Sequence, residues 1–299
     1  MSAAVGTTTL AEHGPQLSAL AVGAWRLDAW DFDDAALAAW IEHAIAQGLT
    51  TFDHADLYGG FTCEALFGRW LKANPARRGE IQLVTKCGIK PEDAARGWTV
   101  KHYDTGRAHI LASVDNSLRQ LGTDYLDLLL IHRPDPLMDP DEVAEAFAAL
   151  KAAGKVRHFG VSNFSPSQFA LLASRTPLVT NQVEASLLHL APLFDGTFDQ
   201  CLERRVRPMI WSPLAGGRLF DASANPVLQR TLATLAEQLG VTPATLALAW
   251  LLRHPARPLP IVGSRRLASL DDAARAAALP LERQHWFALL EAAQGHAVP

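Results

Sequence analysis

Four polar side chains lie at or just after the ends of apolar runs in the first half of the chain. Asp53 ends TTFD, Lys86 ends IQLVTK and His132 ends YLDLLLIH, while Tyr58 follows Asp53 by five residues. A lysine ammonium beside a tyrosine favours the phenolate, and a carboxylate can orient that lysine, so the tyrosine can donate a proton near neutral pH. A histidine nearby can hydrogen-bond a carbonyl oxygen. Together these residue types favour carbonyl reduction, with hydride from a cofactor and a proton from Tyr58.

Each of the four residues also has an explanation without chemistry. Asp53 can cap a helix and Lys86 can extend into solvent from a strand end. Tyr58 can pack in the interior, and His132 can be a hydrogen-bonded core histidine. Their joint occurrence favours the chemical interpretation.

The elements that must position these residues alternate between short apolar runs and longer Ala/Leu-rich segments. Eight runs are predicted strands: 17–23, 50–53, 81–86, 125–132, 156–162, 178–184, 207–213 and 258–264. Seven segments are predicted helices: 33–48, 106–122, 141–154, 165–174, 226–240, 242–254 and 280–294. Eight strand–helix units predict an α/β fold, a (β/α)8 TIM barrel with extra C-terminal helices. The carboxyl ends of the strands would then form the active-site mouth.

A doubly wound sheet is the alternative architecture. The first strand, however, is followed by GAWRLDAW rather than the GxGxxG turn of that fold. The segment TTTLAEHGPQLS predicts a small N-terminal hairpin turning at residues 13–15. No linker rich in Pro, Gly or Ser divides the chain, so residues 1–299 are predicted to form one domain.

Composition excludes several classes of partner. The formal charge is −4, with 27 basic and 31 acidic residues and no long basic block, so nucleic acid is not expected. Cys63, Cys87 and Cys201 show no zinc spacing, so no metal is expected, and a reducing compartment is indicated. The N-terminus lacks a secretory pattern and no apolar run is long enough to span a bilayer. We therefore expect a cytoplasmic protein without a membrane partner, and a monomer because no isologous apolar patch is marked.

Several motifs, in their order and spacing, resemble the aldo-keto reductases over nearly the whole chain. They are TFDHADLYGG with Glu64 and Gly68 after it, VTKCG, LDLLLIHRPDP, GKVRHFGVSNFSP, TNQVE, WSPLAGGRLF and PLPIVGSRR. The final GHAVP is similar to the end of a bacterial cytosolic oxidoreductase branch of that family. The resemblance implies a catalytic tetrad of Asp53, Tyr58, Lys86 and His132. His54 departs from the family, which more often has a small residue there.

The resemblance also implies a cofactor, NADP(H), bound in extended form across the barrel mouth, and a small-molecule carbonyl substrate. The residues that it assigns to the cofactor are Gly23, Ser162, Asn163, Gln182, Trp211, Ser212, Leu214, Gly216, Ser264 and Arg265. It assigns Trp25 to the substrate. Trp98 can form an apolar substrate pocket with Trp25, and the alternative is that these tryptophans pack in the core or on the surface.

Within the cofactor set, the resemblance gives each group of residues a separate task. Ser162, Asn163 and Gln182 would bind the nicotinamide carboxamide, and Trp211 would stack on the ring. Without a cofactor, Ser162 can cap the helix that starts near Ser165, and Asn163 can be a turn residue. Further along, the segment 212–216 would line the pyrophosphate.

The chain departs from the family pattern at the 2′-phosphate site. The arginine that usually follows Ser264 by five residues is Ser269, and the usual Glu-Asn pair is Asp272-Ala273. One adenine contact is therefore expected to be lost. Arg265 and the arginine after it still favour NADP over NAD, because guanidinium groups recognise phosphate through paired hydrogen bonds.

The leading prediction is an NADPH-dependent reductase of aldehydes or ketones, and two other functions fit parts of the sequence. In a Schiff-base aldolase Lys86 would be the nucleophile, which needs a depressed lysine pKa and leaves GVSNFSP and GSRR without a role. In a regulatory or redox-sensing subunit the chain would bind the cofactor and turn over slowly. The intact tetrad argues against complete loss of chemistry.

Overall fold

The computed structural model describes residues 4–221, 223 and 225–299. Its strands in chain order are β1 (Thr7–Thr9), β2 (Gln16–Ser18), β3 (Ala21–Gly23), β4 (Thr51–Asp53), β5 (Gln82–Cys87), β6 (Ile89–Lys90), β7 (His102–Tyr103), β8 (Leu126–Ile131), β9 (Val156–Ser162), β10 (Asn181–Glu184), β11 (Met209–Trp211) and β12 (Leu259–Val262). Eight of them close into a parallel barrel in the order β3-β4-β5-β8-β9-β10-β11-β12. The predicted barrel is confirmed, and the doubly wound alternative is wrong.

The helices alternate with the barrel strands along the chain. They are α1 (Asp34–Ala46), a single turn α2 (Tyr58–Phe61), α3 (Cys63–Ala73), α4 (Arg107–Leu121), α5 (Pro140–Ala152), α6 (Pro166–Ala173), α7 (Thr197–Glu203), α8 (Pro226–Gln238), α9 (Pro243–Leu252), α10 (Leu267–Ala278) and α11 (Arg283–Gln294). Two helices are additional to the β/α units: α8, which precedes α9, and α11, which follows the last unit. Helices α8 and α11 pack against each other.

The N-terminal hairpin is confirmed, but the first predicted strand is wrong in extent. β1 and β2 pair antiparallel, with Thr7 opposite Ser18. The run 17–23 is divided between β2 and β3 because Ser18 Oγ donates to the Leu20 carbonyl at 2.6 Å and accepts from the Thr51 amide at 3.0 Å. These bonds bend the chain between the two strands, so only Ala21–Gly23 enters the barrel.

The hairpin closes the amino-terminal end of the barrel. Leu10 and Leu17 are fully buried and pack with inward-facing residues such as Val84 and Leu128. Burying a leucine side chain contributes about 1.5–3 kcal/mol, so the hairpin stabilises the barrel floor. The carboxyl ends of the strands, on the other side, remain available for a site.

Among the described residues no single helix is long and apolar enough to cross a membrane. Helices α8 and α9 reach that length and hydrophobicity only together, and they are bent by 95° relative to each other.

Candidate active site

The Lys86 ammonium lies at the centre of the site and donates three hydrogen bonds. Its acceptors are Asp53 Oδ2 at 2.7 Å, the His54 carbonyl oxygen at 2.8 Å and Tyr58 Oη at 3.1 Å. Because an ammonium has three N–H groups, these bonds engage all of its donors. Lys86 is only 1% exposed, and its position is therefore fixed by packing as well as by hydrogen bonds.

Asp53 is held from two sides. Lys86 binds its Oδ2, and the Gln182 side-chain amide donates to its Oδ1 at 2.9 Å. The carboxylate is 3% exposed, and a buried charge needs such partners. Gln182 thus orients Asp53, a contact that the sequence did not indicate.

The barrel strands explain why these residues meet. Asp53 is the last residue of β4, and Lys86 lies two residues after Val84 on the inward face of β5. Successive side chains of a strand alternate between faces, so Lys86 also points inward, at the mouth. His132 follows β8, which pairs with β5, and its ring lies edge-on to Tyr58 with centroids 5.8 Å apart. The structure therefore brings all four predicted tetrad residues together.

Burial raises the pKa of Tyr58 above its ordinary value. Lys86 acts in the expected downward direction, but burial outweighs it, so the expected net lowering of this pKa is wrong for the protein without ligands. Tyr58 is protonated at neutral pH, which is the state that a general acid requires.

Lys86 and His132 are held in opposite protonation states. Burial disfavours the ammonium, but Asp53 and Tyr58 together outweigh it and raise the pKa of Lys86. A Schiff-base lysine needs the reverse shift, so the surroundings of Lys86 do not favour the aldolase alternative. Burial and the nearby Lys86 charge lower the pKa of His132 well below its ordinary range. His132 is neutral and can donate a hydrogen bond to a carbonyl oxygen.

A chain of hydrogen bonds joins the residues assigned to the nicotinamide. Trp211 Nε1 donates to Asn163 Oδ1 at 2.9 Å, and Asn163 Nδ2 donates to Ser162 Oγ at 2.8 Å. Ser162 Oγ donates in turn to the Gln182 carbonyl at 2.9 Å. Asn163 has a φ of +61°, a backbone conformation that asparagine tolerates better than most residues. The indole of Trp211 is therefore held in a defined orientation.

Ser162 is not a helix cap. The N-cap of α6 is Ser165, which forms a capping box with Gln168. The structure thus contradicts the capping interpretation of Ser162. For Asn163, the turn interpretation and the cofactor interpretation both fit its left-handed backbone.

The segment after β11 winds through several left-handed residues. Ser212 and Ala215 have φ values near +50°, while Gly216 and Gly217 have φ values of 67° and 98°. Successive turns of this kind present backbone N–H groups to a common side, as anion-binding nests do. Leu214 in this segment packs against both main core clusters. The geometry fits the predicted pyrophosphate contact.

A side chain at Gly23 would disrupt the end of β3. A Cβ there would lie 2.9 Å from Ile261 Cγ2, closer than real Cβ atoms approach. The absence of a side chain at Gly23 therefore leaves the backbone accessible at the point where the resemblance places the cofactor.

Between the ends of β3 and β12 lies a cleft of about 390 Å³. Arg26, Arg265 and Arg266 line it together with Ser264. Three guanidinium groups in one cleft fit a phosphate, so these residues fit the NADP(H) implied by the resemblance. Arg26 was not assigned to the cofactor from the sequence, because only the fold shows that it faces the β12 side.

The residues that replace the family's usual contacts are used elsewhere. Ser264 Oγ donates to Ser269 Oγ at 3.1 Å, and Asp272 accepts from the Thr245 hydroxyl. Ala273 is fully buried. The loss of one adenine contact stays a prediction.

The two tryptophans assigned to the substrate lie in segments after β3 and β5. Trp25 is 56% exposed, with the Arg26 guanidinium 4.9 Å from its ring centroid. Trp98 lies in the segment between β6 and β7, and its ring is 5.9 Å from that of Phe61. The exposed ring of Trp25 is available to a ligand.

Comparison with known proteins decides the family. The model of the aldo/keto reductase family matches residues 19–293. The chain belongs to the aldo/keto reductase family. It is 50% identical over 294 residues to the oxidoreductase YdhF of Escherichia coli K12, covering 97% of this chain and 98% of the relative. The resemblance drawn from the motifs is confirmed, and the protein is an oxidoreductase that reduces carbonyl groups.

Two further comparisons bear on this aldo/keto reductase. A 6-dehydroglucose reductase of Agrobacterium fabrum is 47% identical over 287 residues, covering 95% of this chain and 96% of the relative. The crystal structure of the thermostable aldo-keto reductase Tm1743 with the inhibitor epalrestat matches with a TM-score of 0.81 at 28% identity. It covers 96% of this chain and 99% of that chain.

Two buried carboxyl groups lie behind the tetrad of this aldo/keto reductase. Burial raises the pKa of Asp56 and of Glu64 to about 7. Asp56 accepts from the Ser113 hydroxyl at 2.7 Å, and Glu64 accepts from the Thr85 hydroxyl at 2.6 Å. Neither carboxyl group was assigned a role from the sequence. Their environment predicts a dependence of stability on pH.

His54 lies beside these acids with its ring buried edge-on to Phe67, at a centroid distance of 4.7 Å. Burial lowers the pKa of His54 to about 3, so the ring is neutral. Only its backbone carbonyl bonds Lys86. A histidine at position 54, where the family more often has a small residue, therefore changes the packing behind the site.

Glu64→Gln is expected to increase the free energy of unfolding at alkaline pH. Glu64 has a raised folded-state pKa, so its contribution to stability is complete below its unfolded pKa, near 4.3, and is lost as pH rises to about 7. Glutamine keeps the acceptor for Thr85 without the buried charge. We expect the free energy of unfolding of Glu64→Gln to exceed that of the wild type by about 3–4 kcal/mol near pH 8, with little difference near pH 4. Urea denaturation across this pH range measures the difference, and the exposed Glu12→Gln is the control. A constant difference at all pH values would contradict the assignment.

Proposed function

We propose that this protein reduces aldehydes or ketones to alcohols with NADPH, as a monomer in the cytoplasm. The observation that carries the proposal is the buried Lys86 ammonium, which joins Asp53 to the hydroxyl of Tyr58 at 3.1 Å. Such an arrangement holds one tyrosine proton at a defined atom, at the mouth of a barrel.

The residues that would hold NADPH are those whose geometry fits its parts. Asn163, Ser162 and Trp211 would hold the nicotinamide, the segment 212–217 the pyrophosphate, and the arginine-lined cleft the 2′-phosphate. When bound, the reduced nicotinamide supplies hydride to the carbonyl carbon.

Tyr58 and His132 act on the oxygen of the substrate. His132, neutral because of its burial, donates a hydrogen bond that orients the carbonyl. Tyr58 gives its proton to that oxygen as the carbon accepts hydride, so the product is an alcohol. Lys86 offsets the negative charge left on Tyr58, because its ammonium is already hydrogen-bonded to the phenol oxygen.

Aldehydes derived from sugars are the first substrates to test. Two relatives, at 47% and 37% identity, are named 6-dehydroglucose reductases. Trp25 offers an exposed indole against which the apolar face of a sugar can pack. Turnover of such an aldehyde, with alcohol as the product, separates a reductase from a cofactor-sensing subunit with slow turnover.

Arg265→Ala is expected to weaken the binding of NADPH much more than the binding of NADH. Arg265 lines the phosphate cleft, and removing a charge-assisted hydrogen bond costs about 1.5–3 kcal/mol, which is about 10- to 150-fold in the dissociation constant. Only NADPH carries the 2′-phosphate. Titrations monitored by tryptophan fluorescence measure both dissociation constants, with the exposed Arg230→Ala of α8 as the control. Equal weakening of NADPH and NADH would place the 2′-phosphate elsewhere.

A further inference from the structure

We propose that Arg133 binds an anionic group of the substrate, so that the preferred substrates are aldehydes carrying a carboxylate or a similar anion. This inference names the substrate class of the proposed reductase and therefore rests on that function.

Arg133 is a half-buried cation without an acidic partner among the described residues. It follows His132 directly, and its guanidinium carbon lies 5.7 Å from the Trp211 ring centroid. Arg78, another largely buried arginine, pairs with Asp127 at 2.8 Å. Partly buried guanidinium groups are normally paired in this way, so an unpaired one beside a site is available to a ligand.

The charge of Arg133 acts on the reacting end of the site. It lowers the pKa of His132 and opposes the burial that raises the pKa of Tyr58. The Arg133 charge therefore lies within electrostatic range of the carbonyl position.

The acidic residues of the neighbouring segments do not form an ion pair with Arg133. Asp104 pairs with Lys90, and Asp135 accepts from the Thr105 hydroxyl. Glu184 ends β10 in register with Trp211, and among the described residues it forms no ion pair with Arg133. The guanidinium therefore keeps its donors for a ligand.

The barrel order separates Arg133 from the phosphate cleft. Arg133 follows β8, whereas Ser264 and Arg265 follow β12, and these strands lie on opposite sides of the eight-strand ring. The phosphate cleft has its own three arginines. Arg133 therefore lies on a different side of the mouth from the 2′-phosphate cleft, and as the residue after His132 it is available to a substrate held by Tyr58 and His132.

A matched pair of aldehydes tests the proposal. With NADPH, the wild type is expected to reduce para-carboxybenzaldehyde with a kcat/KM about 10-fold or more above that of its methyl ester, since a charge-assisted hydrogen bond contributes about 1.5–3 kcal/mol. Arg133→Gln should reduce this ratio to near one, mainly through a higher KM for the acid. Arg230→Gln is the control. High salt should reduce the wild-type ratio.

Two kinetic results would overturn the proposal. One is a wild-type ratio near one. The other is an equal loss of kcat/KM for acid and ester in Arg133→Gln. A loss of NADPH affinity in that variant as large as its effect on the acid would also overturn it, because Arg133 would then bind the cofactor.

A binding measurement separates this inference from the reductase function. Benzoate and benzamide are titrated into the protein with NADP⁺, and tryptophan fluorescence is recorded. Tighter binding of benzoate, lost in Arg133→Gln, supports the anion site even if no aldehyde is reduced, in which case only the reductase proposal fails. Equal affinities for benzoate and benzamide, together with reduction of both aldehydes, would overturn the anion site and leave the reductase function in place.

Discussion

Tyr58→Phe is expected to lower kcat for aldehyde reduction by about 10²- to 10⁴-fold, the range that a positioned general acid contributes. The substitution removes only the hydroxyl that Lys86 binds at 3.1 Å, and the ring keeps its edge-on contact with His132. The Asp53–Lys86 pair remains. The cofactor dissociation constant should therefore change little, because none of the residues assigned to the cofactor bonds the tyrosine hydroxyl.

Steady-state rates and NADPH titrations on the same preparation check this expectation. Tyr125→Phe removes the hydroxyl of a tyrosine outside the site and is the matched control. Undiminished reduction by Tyr58→Phe would reject its role as the proton donor. Equal losses in turnover and in cofactor affinity would show that the phenol is structural.

Lys86→Met is expected to lower the free energy of unfolding by about 3–5 kcal/mol and to remove activity. The substitution leaves Asp53 buried, with Gln182 as its remaining side-chain donor. Breaking a buried ion pair from one side costs this much because an uncompensated charge stays inside. The acid Tyr58 also loses the ammonium that would offset its developing charge.

A second substitution separates the two effects. Adding Asp53→Asn to Lys86→Met removes the buried charge, so we expect most of the lost stability to return while turnover stays absent. Urea denaturation and steady-state assays measure the two quantities. A Lys86→Met protein as stable as the wild type would contradict the buried-pair description.

The barrel was predictable because its signals are local and repeated. Apolar runs such as 125–132 and Ala/Leu-rich segments such as 33–48 lie within a few residues of β8 and α1. Polar residues at the ends of these runs identified Asp53, Lys86 and His132, since strand ends in a barrel converge on one rim. The position of polar residues at strand ends thus located three of the four residues that the structure brings together, and the fourth, Tyr58, follows Asp53 by five residues.

Other elements have weaker local signals. α7 has only seven residues, and the pair β6 and β7 has two residues in each strand, too few for a periodic pattern to show. The division of 17–23 depends on the Ser18 hydroxyl and its bond to Thr51, a residue 33 positions away. Side-chain bonds across such distances leave no trace in hydrophobic periodicity.

Within the site, what the sequence missed depends on burial and on neighbours distant in the chain. Arg26 faces the phosphate cleft only because β3 and β12 are adjacent. The raised pKa values of Asp56 and Glu64, and the upward net direction for Tyr58, follow from burial, which a list of neighbouring residue types does not reveal. Arg133 stands out only because the described acids around it are otherwise engaged or out of range.

We expect this chain to use reduced nicotinamide to convert a carbonyl to an alcohol. The most direct measurement mixes the purified protein with NADPH and para-carboxybenzaldehyde, follows the absorbance of the reduced nicotinamide, and identifies the organic product by mass. We predict loss of that absorbance in a one-to-one ratio with formation of the alcohol, and no such loss in Tyr58→Phe. Tight binding of NADPH without alcohol formation, across sugar-derived and carboxylate-bearing aldehydes, would contradict the claim and favour a cofactor-sensing role.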